Sequence, residues 1–241
     1  MLSALKTAVQ EKQSLLYPLL IISIPDFEAD THHIYKSFFK SLAQRVGFNL
    51  LHSPMLASLR ALEFYGIDDC WSSPLSPEPP CPPREERSDV VLTITYSNIS
   101  LGATLLTRKA FEYSWGAMWP QSVSEAFDLG RDVPLREQEP EKYWREIKNV
   151  ILGTIRDTER VDNIIFLGSQ GGDEELRKVV REVVDGHGER EAVATDTRNA
   201  QESLFITARG SAAAARRGMI DGFDGCLIPN HCETDDGKSE L

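Results

Sequence analysis

The sequence has 241 residues, and its 26 lysines and arginines against 37 aspartates and glutamates give a net charge of −11. Its 41% hydrophobic and 26% charged residues are ordinary for a globular protein and exclude a disordered, collagen-like or disulfide-dense chain. The negative charge argues against nucleic acid or an anionic membrane as the main partner, because both require clustered cations. The longest apolar run, residues 15–24, is about half the length of a spanning helix and indicates a buried strand.

Alternating strand and helix patterns occupy the first part of the chain, residues 1–71. Two strands and two helices are predicted in chain order at 19–24, 31–46, 48–52 and 54–66. The first helix has Asp30 or Thr31 at its start and Gly47 at its end, which are typical capping residues. Its apolar residues are assigned to one face: Ile34, Phe38, Leu42 and Ala43. This β-α-β-α order is typical of a small parallel sheet.

A proline-rich segment divides the chain. Residues 72–88 include six prolines and are predicted to form a stiff extended linker, because proline is excluded from helices and central strands. The second part, residues 89–232, is predicted to begin with antiparallel strands and to continue as α-β-α-β-α. The predicted elements are strands at 90–96, 101–107 and 111–115, a helix at 141–158, a strand at 161–167, a helix at 173–184, a strand at 192–194 and a helix at 202–220. Residues 233–241 are polar and are predicted to be disordered.

The ends of the chain indicate compartment and metal content. Residues 1–13 contain no apolar core typical of a secretory signal, so we expect a cytoplasmic protein with reduced cysteines. Cys226, His231 and Cys232 lie close together in sequence. A structural zinc site needs four ligands at compatible spacing, and the adjacent His231 and Cys232 are awkward as joint ligands. The sequence therefore predicts no metal site.

Four segments resemble, in the same order, segments of the Hsp70 nucleotide-binding domain. IISIPDF at 21–27 and AQRVGFNLLHSPMLASLRALEFYGID at 43–68 are similar to strands and helices of its first lobe. DNIIFLGSQGGDEELRKVVREVV at 162–184 resembles its adenosine-binding segment, and FITARGSAAAARRGM at 205–219 resembles its last helix. The chain is therefore identified as a member of the actin-like ATPase superfamily, nearest to Hsp70 and to the Hsp70-like proteins of fungi.

The resemblance implies an α/β protein with a partial actin-like ATPase (ribonuclease H-like) fold. Lobe one is incomplete, because the family's first phosphate loop and the strands before it have no counterpart in this chain. Lobe two lacks its helical insertion, and the irregular segment 116–139 stands in its place. We therefore expect residues 1–71 to form a remnant of lobe one and residues 89–232 to form lobe two.

Two further positions depart from the family's catalytic chemistry. Its second phosphate loop reads DLGGGT, whereas residues 94–100 read ITYSNIS and contain neither glycine nor carboxylate. Glycines let backbone N–H groups approach phosphate, and the aspartate holds a magnesium-bound water. Ser53 occupies the position of the family's catalytic glutamate. The sequence thus assigns no catalytic residue, and ATP hydrolysis is not expected.

One glycine-rich loop retains the features of a ligand-binding turn. It follows a predicted strand, precedes a predicted helix and consists of Gly168, Ser169, Gln170, Gly171 and Gly172. The resemblance implies that this loop binds adenosine. The acidic residues 173–175 occupy the first turn of the helix and would repel a phosphate group. The alternative interpretation is a plain strand-to-helix turn in which the glycines allow close packing.

Three interpretations of function follow. The hypothesis adopted is a non-hydrolysing, Hsp70-like pseudo-ATPase that acts by protein interaction or as an accessory factor. It requires no cofactor and leaves weak binding of ATP, ADP or adenosine open. The second interpretation is a nucleotide-binding ATPase or phosphotransferase that another chain completes. The third is a truncated gene product without independent activity, because the chain begins in the middle of lobe one.

The incomplete lobe one also predicts an interaction surface. Its two strands, 19–24 and 48–52, would leave a parallel edge unpaired, and an open apolar edge invites pairing with another strand. We expect a short helix predicted at 3–13, the proline-rich linker or a second chain to cover this edge. The prediction is therefore a protein partner or self-association through the lobe-one edge, with no nucleic-acid or membrane partner.

Overall fold

The computed structural model describes residues 7, 19–20, 22–24, 26, 29–50, 55–67, 90–108, 118–187, 193–194 and 200–221. The strands in these residues are β1 (Leu19–Leu20), β2 (Ser23–Ile24), β3 (Asn49–Leu50), β4 (Met55–Leu56), β5 (Val90–Tyr96), β6 (Leu101–Arg108), β7 (Met118–Ala126), β8 (Asn163–Leu167) and β9 (Val193–Ala194). The helices are α1 (Ala29–Val46), α2 (Ala57–Tyr65), α3 (Pro134–Gln138), α4 (Pro140–Ile155), α5 (Glu174–Asp185) and α6 (Ala200–Asp221). The predicted linker at 72–88 and the predicted tail at 233–241 lie outside the described residues. Among the described helices, none has both the length and the hydropathy to cross a lipid bilayer.

The first part of the chain forms two short parallel strand pairs, whereas the β-α-β-α pattern predicts one small parallel sheet; the parallel direction is as predicted. Leu19 pairs with Asn49 between β1 and β3, and Ser23 pairs with Met55 between β2 and β4. β4 occupies residues predicted to begin a helix. It forms because the N–H of Met55 donates to the carbonyl of Ile22 over 3.1 Å, which extends the parallel ladder. Helix α2 therefore begins at Ala57.

Helix α1 ends where its sequence predicts but does not present one apolar face. The chain reverses at Gly47, whose φ of 78° is left-handed backbone that glycine adopts without strain. Ala43 is buried, whereas Ile34 and Phe38 are exposed to solvent. The predicted shared face is wrong for a geometric reason. The nine steps along the helix from Ile34 to Ala43 make about two and a half turns, which places Ile34 and Ala43 on opposite sides.

The second part of the chain forms a five-stranded mixed sheet in the order β7-β6-β5-β8-β9. β7, β6 and β5 are antiparallel neighbours, and β8 and β9 continue the sheet in parallel from β5. The irregular structure predicted for 116–139 is wrong, because this segment contains β7 and α3. β7 is an edge strand that tolerates Pro120, and its register shifts opposite Leu105 and Leu106. Its sequence, MWPQSVSEA, lacks the apolar run of a central strand.

Helices cover both faces of this sheet and make three layers. On one face, alternate side chains of β5, β6 and β8 pack against α4 and α5 in the larger apolar cluster. On the other face, α2 and α6 pack in a smaller cluster that contains Val91, Leu106 and Ile165. Because α2 belongs to the first part of the chain, that part shares its core with the second part. The backbones of α2 and α6 approach closely where the two helices cross. A Cβ atom added at Gly210 would lie 1.6 Å from the carbonyl oxygen of Arg60.

Candidate functional site

The glycine-rich loop and the β5–β6 turn lie at one edge of the sheet. β5 ends at Tyr96 and its parallel neighbour β8 ends at Leu167. Because parallel neighbours end at the same edge, the turn at 97–100 lies beside the loop at 168–172. Ligands of open α/β sheets bind at this kind of edge. We call the turn, the loop and the segment 127–133 after β7 the carboxyl edge.

The glycine-rich loop is held tightly against the end of β5. Gly168 has a φ of 88°, and an added Cβ atom there would lie 2.4 Å from the carbonyl oxygen of Tyr96. That same carbonyl accepts the N–H of Gln170 over 3.0 Å. At Gly171, an added Cβ atom would lie 2.9 Å from Cβ of Ser203 on α6. Close packing therefore requires glycine at both positions, which is what the alternative interpretation of this loop predicts.

The first turn of α5 pairs its carboxylates with a guanidinium group. Asp173 caps the helix, and its Oδ1 accepts the N–H of Leu176 over 3.0 Å. Arg136 of α3 forms ion pairs of 2.9 Å with Asp173 and with Glu175. Burial alone would lower the pKa of Arg136, but its hydrogen bonds to the two carboxylates raise the pKa above its usual range. The predicted acidic first turn is thus partly neutralised by Arg136.

The β5–β6 turn satisfies its own backbone donors. The hydroxyl oxygen of Ser97 accepts the N–H of Ile99 over 3.3 Å and the N–H of Ser100 over 3.0 Å. The carbonyl of Ser97 accepts the N–H of Arg131 over 3.0 Å, which ties the segment after β7 to the turn. These N–H groups are the donors that a phosphate-binding turn would present to its ligand. In this chain they are already bonded within the protein.

Side chains also bridge the loop to its neighbours. The side-chain amide of Gln170 donates to Oδ1 of Asn98 over 2.8 Å, and its oxygen accepts from the guanidinium group of Arg131. Gln170 therefore connects all three segments of the carboxyl edge. A ligand that used the Gln170 amide would first have to displace one of these bonds.

A relay of hydrogen bonds runs beneath the carboxyl edge. Arg136 donates to the hydroxyl of Tyr96 over 3.2 Å, and the hydroxyls of Tyr96 and Tyr143 lie 2.7 Å apart. The hydroxyl of Tyr143 donates to the carbonyls of Leu129 and Gly130, each over 3.1 Å, so Tyr96 donates to Tyr143. Burial raises the pKa of both tyrosines. The pair therefore stays protonated and serves as a fixed support for the edge.

An open pocket of about 310 Å³ lies on top of this support. Its lining residues are Arg131, Arg136, Gln170, Gly172, Asp173, Glu174 and Glu175. Of the predicted adenosine loop, Gln170 and Gly172 line the pocket, Ser169 is partly buried, and Gly168 and Gly171 pack beneath it. The pocket offers hydrogen-bonding groups of both kinds to a neutral polar ligand, but its carboxylates outnumber its guanidinium groups.

Asp26 is a polar group that lies where the start of α2 meets the central sheet. Its Oδ1 accepts the N–H of Ser58 over 3.2 Å and the Ser58 hydroxyl over 2.9 Å, at the start of α2. Burial raises the pKa of Asp26, and hydrogen bonds from Ser58 and from the Thr104 hydroxyl partly offset this effect. Burial and the nearby charge of Asp26 raise the pKa of Glu125 on β7. Asp26 therefore joins α2 to the sheet.

The sequence patterns missed Arg131, Arg136 and Tyr143 as components of the edge. Arg131 and Arg136 lie in the segment that was predicted to be irregular, and Tyr143 lies in the predicted helix at 141–158, to which the sequence assigns no site role. The one local signal was Pro134, because proline is favoured in the first turn of a helix and marks the start of α3. Their convergence depends on contacts between segments about 40 residues apart.

The other polar residues of interest are an arginine of the last helix, which lies at a different contact, and groups outside the described residues. Arg209 lies with its guanidinium carbon 5.8 Å from the ring centre of Phe64, at the α2–α6 crossing. Ser53 and the Cys226, His231 and Cys232 group lie outside the described residues. Within the part of the chain that the structure describes, no group of three or more histidine, cysteine, aspartate or glutamate side chains could hold a metal ion.

Two comparisons with known proteins found no relative of this chain. A scan against protein-family models found no match, and a search of curated proteins found no similar sequence.

Proposed function

We propose that this chain is a non-hydrolysing cytoplasmic protein with a partial actin-like, Hsp70-like fold that acts by binding another protein. The order of its elements supports the fold. A parallel strand-and-helix unit precedes an antiparallel three-stranded sheet, which alternating helices and strands then extend in parallel. The segments that resemble Hsp70 follow the same order along the chain.

The main support for the absence of hydrolysis is the β5–β6 turn, whose backbone N–H groups are already hydrogen-bonded within the protein. An ATPase of this superfamily presents backbone N–H groups and a carboxylate here, to hold phosphate and a magnesium-bound water. In this chain the hydroxyl of Ser97 accepts the N–H groups of Ile99 and Ser100, and residues 94–100 contain no carboxylate. A phosphate would gain little, because each bond it made would replace one that already exists.

The charges of the pocket support the same conclusion. Arg136 is held by Asp173 and Glu175, so its guanidinium group is not a free anion receptor. The exposed Glu174 adds a further negative charge beside it. A triphosphate placed here would meet like charges, whereas a neutral group such as adenosine would meet hydrogen-bonding partners. We therefore propose weak adenosine binding as the most that this loop supports.

Thermal melting of the full chain tests this proposal. A ligand at 100 times its dissociation constant stabilises a protein by about 2.7 kcal/mol, so a bound nucleotide would give a measurable shift. We expect Mg-ATP and ADP to give no larger shift than adenosine, with no release of phosphate. Gln170→Ala should abolish any adenosine shift, whereas Lys178→Ala on the exposed side of α5 is a matched control. A clear Mg-ATP shift with phosphate release would overturn the proposal and favour an ATPase.

A further inference from the structure

Polar side chains join the first part of the chain to the central sheet and to α6. The hydroxyls of Ser23 on β2 and Ser211 on α6 lie 2.7 Å apart. Nη2 of Arg108 on β6 donates to the carbonyl of Ile67, just after α2, over 2.9 Å. Asp26 accepts hydrogen bonds from both α2 and β6. Because serine does not titrate and arginine is not deprotonated in proteins, Asp26 is the contact of this set that pH can alter.

The Asp26 carboxyl group takes the place of a helix cap. Leu56, at the start of α2, makes no side-chain capping bond. Oδ1 of Asp26 instead accepts the N–H of Ser58 over 3.2 Å and the Ser58 hydroxyl over 2.9 Å. The Thr104 hydroxyl on β6 also donates to Asp26. One carboxyl group, two residues after β2, therefore connects the first turn of α2 with the sheet.

Asp26 forms no ion pair within the described residues. The charged residues of α2, Arg60 and Glu63, are bonded to each other. Arg108 is the last residue of β6 and bonds to the chain after α2, and Arg209 of α6 lies against an aromatic ring of α2. Neutral donors are therefore the groups that stabilise the ionised form of Asp26.

The charged group that faces Asp26 has the same sign. Glu125 on β7 pairs with Gly102 of β6, and positions 102 and 104 of a strand lie on the same face of the sheet. Glu125 is thus on the face from which Thr104 reaches Asp26. Burial and the charge of Asp26 raise the pKa of Glu125. Ionising both carboxyl groups places two like charges at a junction where burial already raises the pKa of Asp26.

Proton binding and docking of the first part are therefore coupled. When α2 and Asp26 leave the sheet, water surrounds the carboxyl group and its pKa returns toward the ordinary 3.8. The docked form has the higher pKa and binds the proton more tightly. Protonated Asp26 thus supports docking fully below the ordinary pKa, and this support declines as the pH rises through the raised pKa.

We propose that the junction between the first part of the chain and the central sheet is a pH-dependent contact, closed in acid and loosened toward neutral pH, with Asp26 as its proton-sensitive group. Loosening moves α2 away from the sheet and uncovers the smaller apolar cluster, which includes Val91, Leu106 and Ile165. The α4–α5 cluster stays closed in this state. The inference rests on the contacts of Asp26 and not on nucleotide chemistry. ATP turnover in the melting experiment would therefore overturn the proposed function and leave this inference unaffected.

Hydrogen exchange of the full chain from about pH 4 to about pH 8, corrected for the intrinsic effect of pH on exchange, tests the inference. We expect α2 amides to be less protected than α4 amides, because α2 opens without global unfolding. Protection of the α2 amides should be at least about tenfold greater at the acid end, which is the factor for one pKa unit. If α2 is as protected as α4, or if its protection does not rise in acid, the proposal is wrong.

Replacing Asp26 by its amide isolates the titrating group. Asp26→Asn keeps an acceptor oxygen for Ser58 and Thr104 but cannot ionise. At neutral pH its α2 amides should be as protected as those of the wild type in acid. Asp128→Asn, which removes an exposed carboxylate after β7, is the matched control and should behave like the wild type. A pH dependence that persists in Asp26→Asn would assign the effect to another group and overturn the proposal.

Removing one donor gives a result that a purely structural role of Asp26 would not. The Ser58 hydroxyl donates to Asp26 and thereby lowers its pKa. In Ser58→Ala the decline of α2 protection should therefore continue to a higher pH than in the wild type, whatever the change in overall stability. A decline that ends at the same or a lower pH would contradict Asp26 as the proton-sensitive group.

Discussion

The two faces of the central sheet are held by different kinds of contact. The face toward α4 and α5 is a continuous apolar cluster, and the hydroxyls buried there, those of Tyr96, Tyr143 and Thr154, are hydrogen-bonded. The face toward α2 and α6 has a smaller apolar cluster and includes buried polar side chains. Those side chains are Ser58, Arg60, Thr93, Thr104 and Ser203.

The α2–α6 face also contains an incompletely satisfied ion pair. Nη1 of Arg60 donates to Oε1 of Glu63 over 2.9 Å, and only 2% of the Arg60 side chain is exposed. Within the described residues, Nε and Nη2 of Arg60 and Oε2 of Glu63 have no hydrogen-bond partner. Buried polar atoms without partners reduce stability. The α4–α5 face is therefore the stable core, and the α2–α6 face, where the two parts of the chain meet, should open first.

The largest expected difference in stability between the two faces is that between alanine substitutions at two adjacent isoleucines of β8. Ile164 and Ile165 are both fully buried, but Ile164 packs in the α4–α5 cluster and Ile165 in the α2–α6 cluster. We expect Ile164→Ala to cost about 4 kcal/mol and Ile165→Ala about 2 kcal/mol, because a larger surrounding core leaves a less collapsible cavity. Urea unfolding measures both values. Equal losses would show that the two faces are equally well packed.

Glycine at the helix crossing gives the next largest effect. Gly210→Ala should cost about 3 kcal/mol, because its Cβ would overlap the backbone of Arg60 and force α2 and α6 apart. Gly153→Ala on α4 is the matched control. No atom lies within 4 Å of its added Cβ, so the better helix propensity of alanine should stabilise the protein by about 0.5–1 kcal/mol. Thermal melting of the two variants should therefore give shifts of opposite sign.

Replacing the buried ion pair should strengthen the weaker face. Glu63→Leu alone should destabilise the protein, because it leaves the charge of Arg60 buried without its partner. Adding Arg60→Met should reverse this loss and exceed the wild-type stability by about 1–2 kcal/mol. Hydrogen exchange of α2 and α6 amides should then slow relative to α4. A double variant no more stable than Glu63→Leu would show that the pair supports the crossing.

The smallest expected effect is a pH dependence at Asp26. Burial raises the pKa of Asp26 above the ordinary 3.8. The protonated side chain therefore stabilises the folded state fully below pH 3.8, and this stabilisation declines as the pH rises through the raised pKa. Ser58 and Thr104 donate to it, and Glu125 is the charged group that faces it from β7.

Asp26→Asn should therefore raise the melting temperature near neutral pH and flatten its dependence on pH. Glu125→Gln should change stability in the same direction by less, because Glu125 is exposed. Melting curves across the acidic range measure both effects. A melting temperature that falls at neutral pH in Asp26→Asn would contradict a buried carboxylate that is costly to ionise.

Most elements follow from local patterns in the sequence. The predicted helices at 173–184 and 202–220 correspond to α5 and α6, and the strand at 90–96 matches β5. α5 was predictable because Asp173 caps it and its apolar residues recur with helical spacing. β7 was not, because an edge strand with Pro120 and alternating polar residues has no strong local signal.

The candidate site shows the same division. The position of the loop at 168–172 between a strand and a helix follows from glycine content and flanking periodicity, which are local properties. The sequence also established the acidic first turn of α5 and the lack of glycine and carboxylate in the β5–β6 turn. Whether the loop glycines served a ligand or close packing depended on Tyr96 and Ser203, which approach them from distant segments.

Contacts between distant segments determine the features on which the proposed function rests. Net charge and periodicity could not show that the Ser97 hydroxyl accepts hydrogen bonds from the N–H groups of its own turn. Nor could they show that Arg136 neutralises Asp173. Each of these depends on which side chains are brought within hydrogen-bonding or van der Waals distance, and a sequence pattern specifies only the neighbours along one helix or strand. The burial of α2 against the sheet likewise depends on Gly210, whose role is visible only where two helices cross.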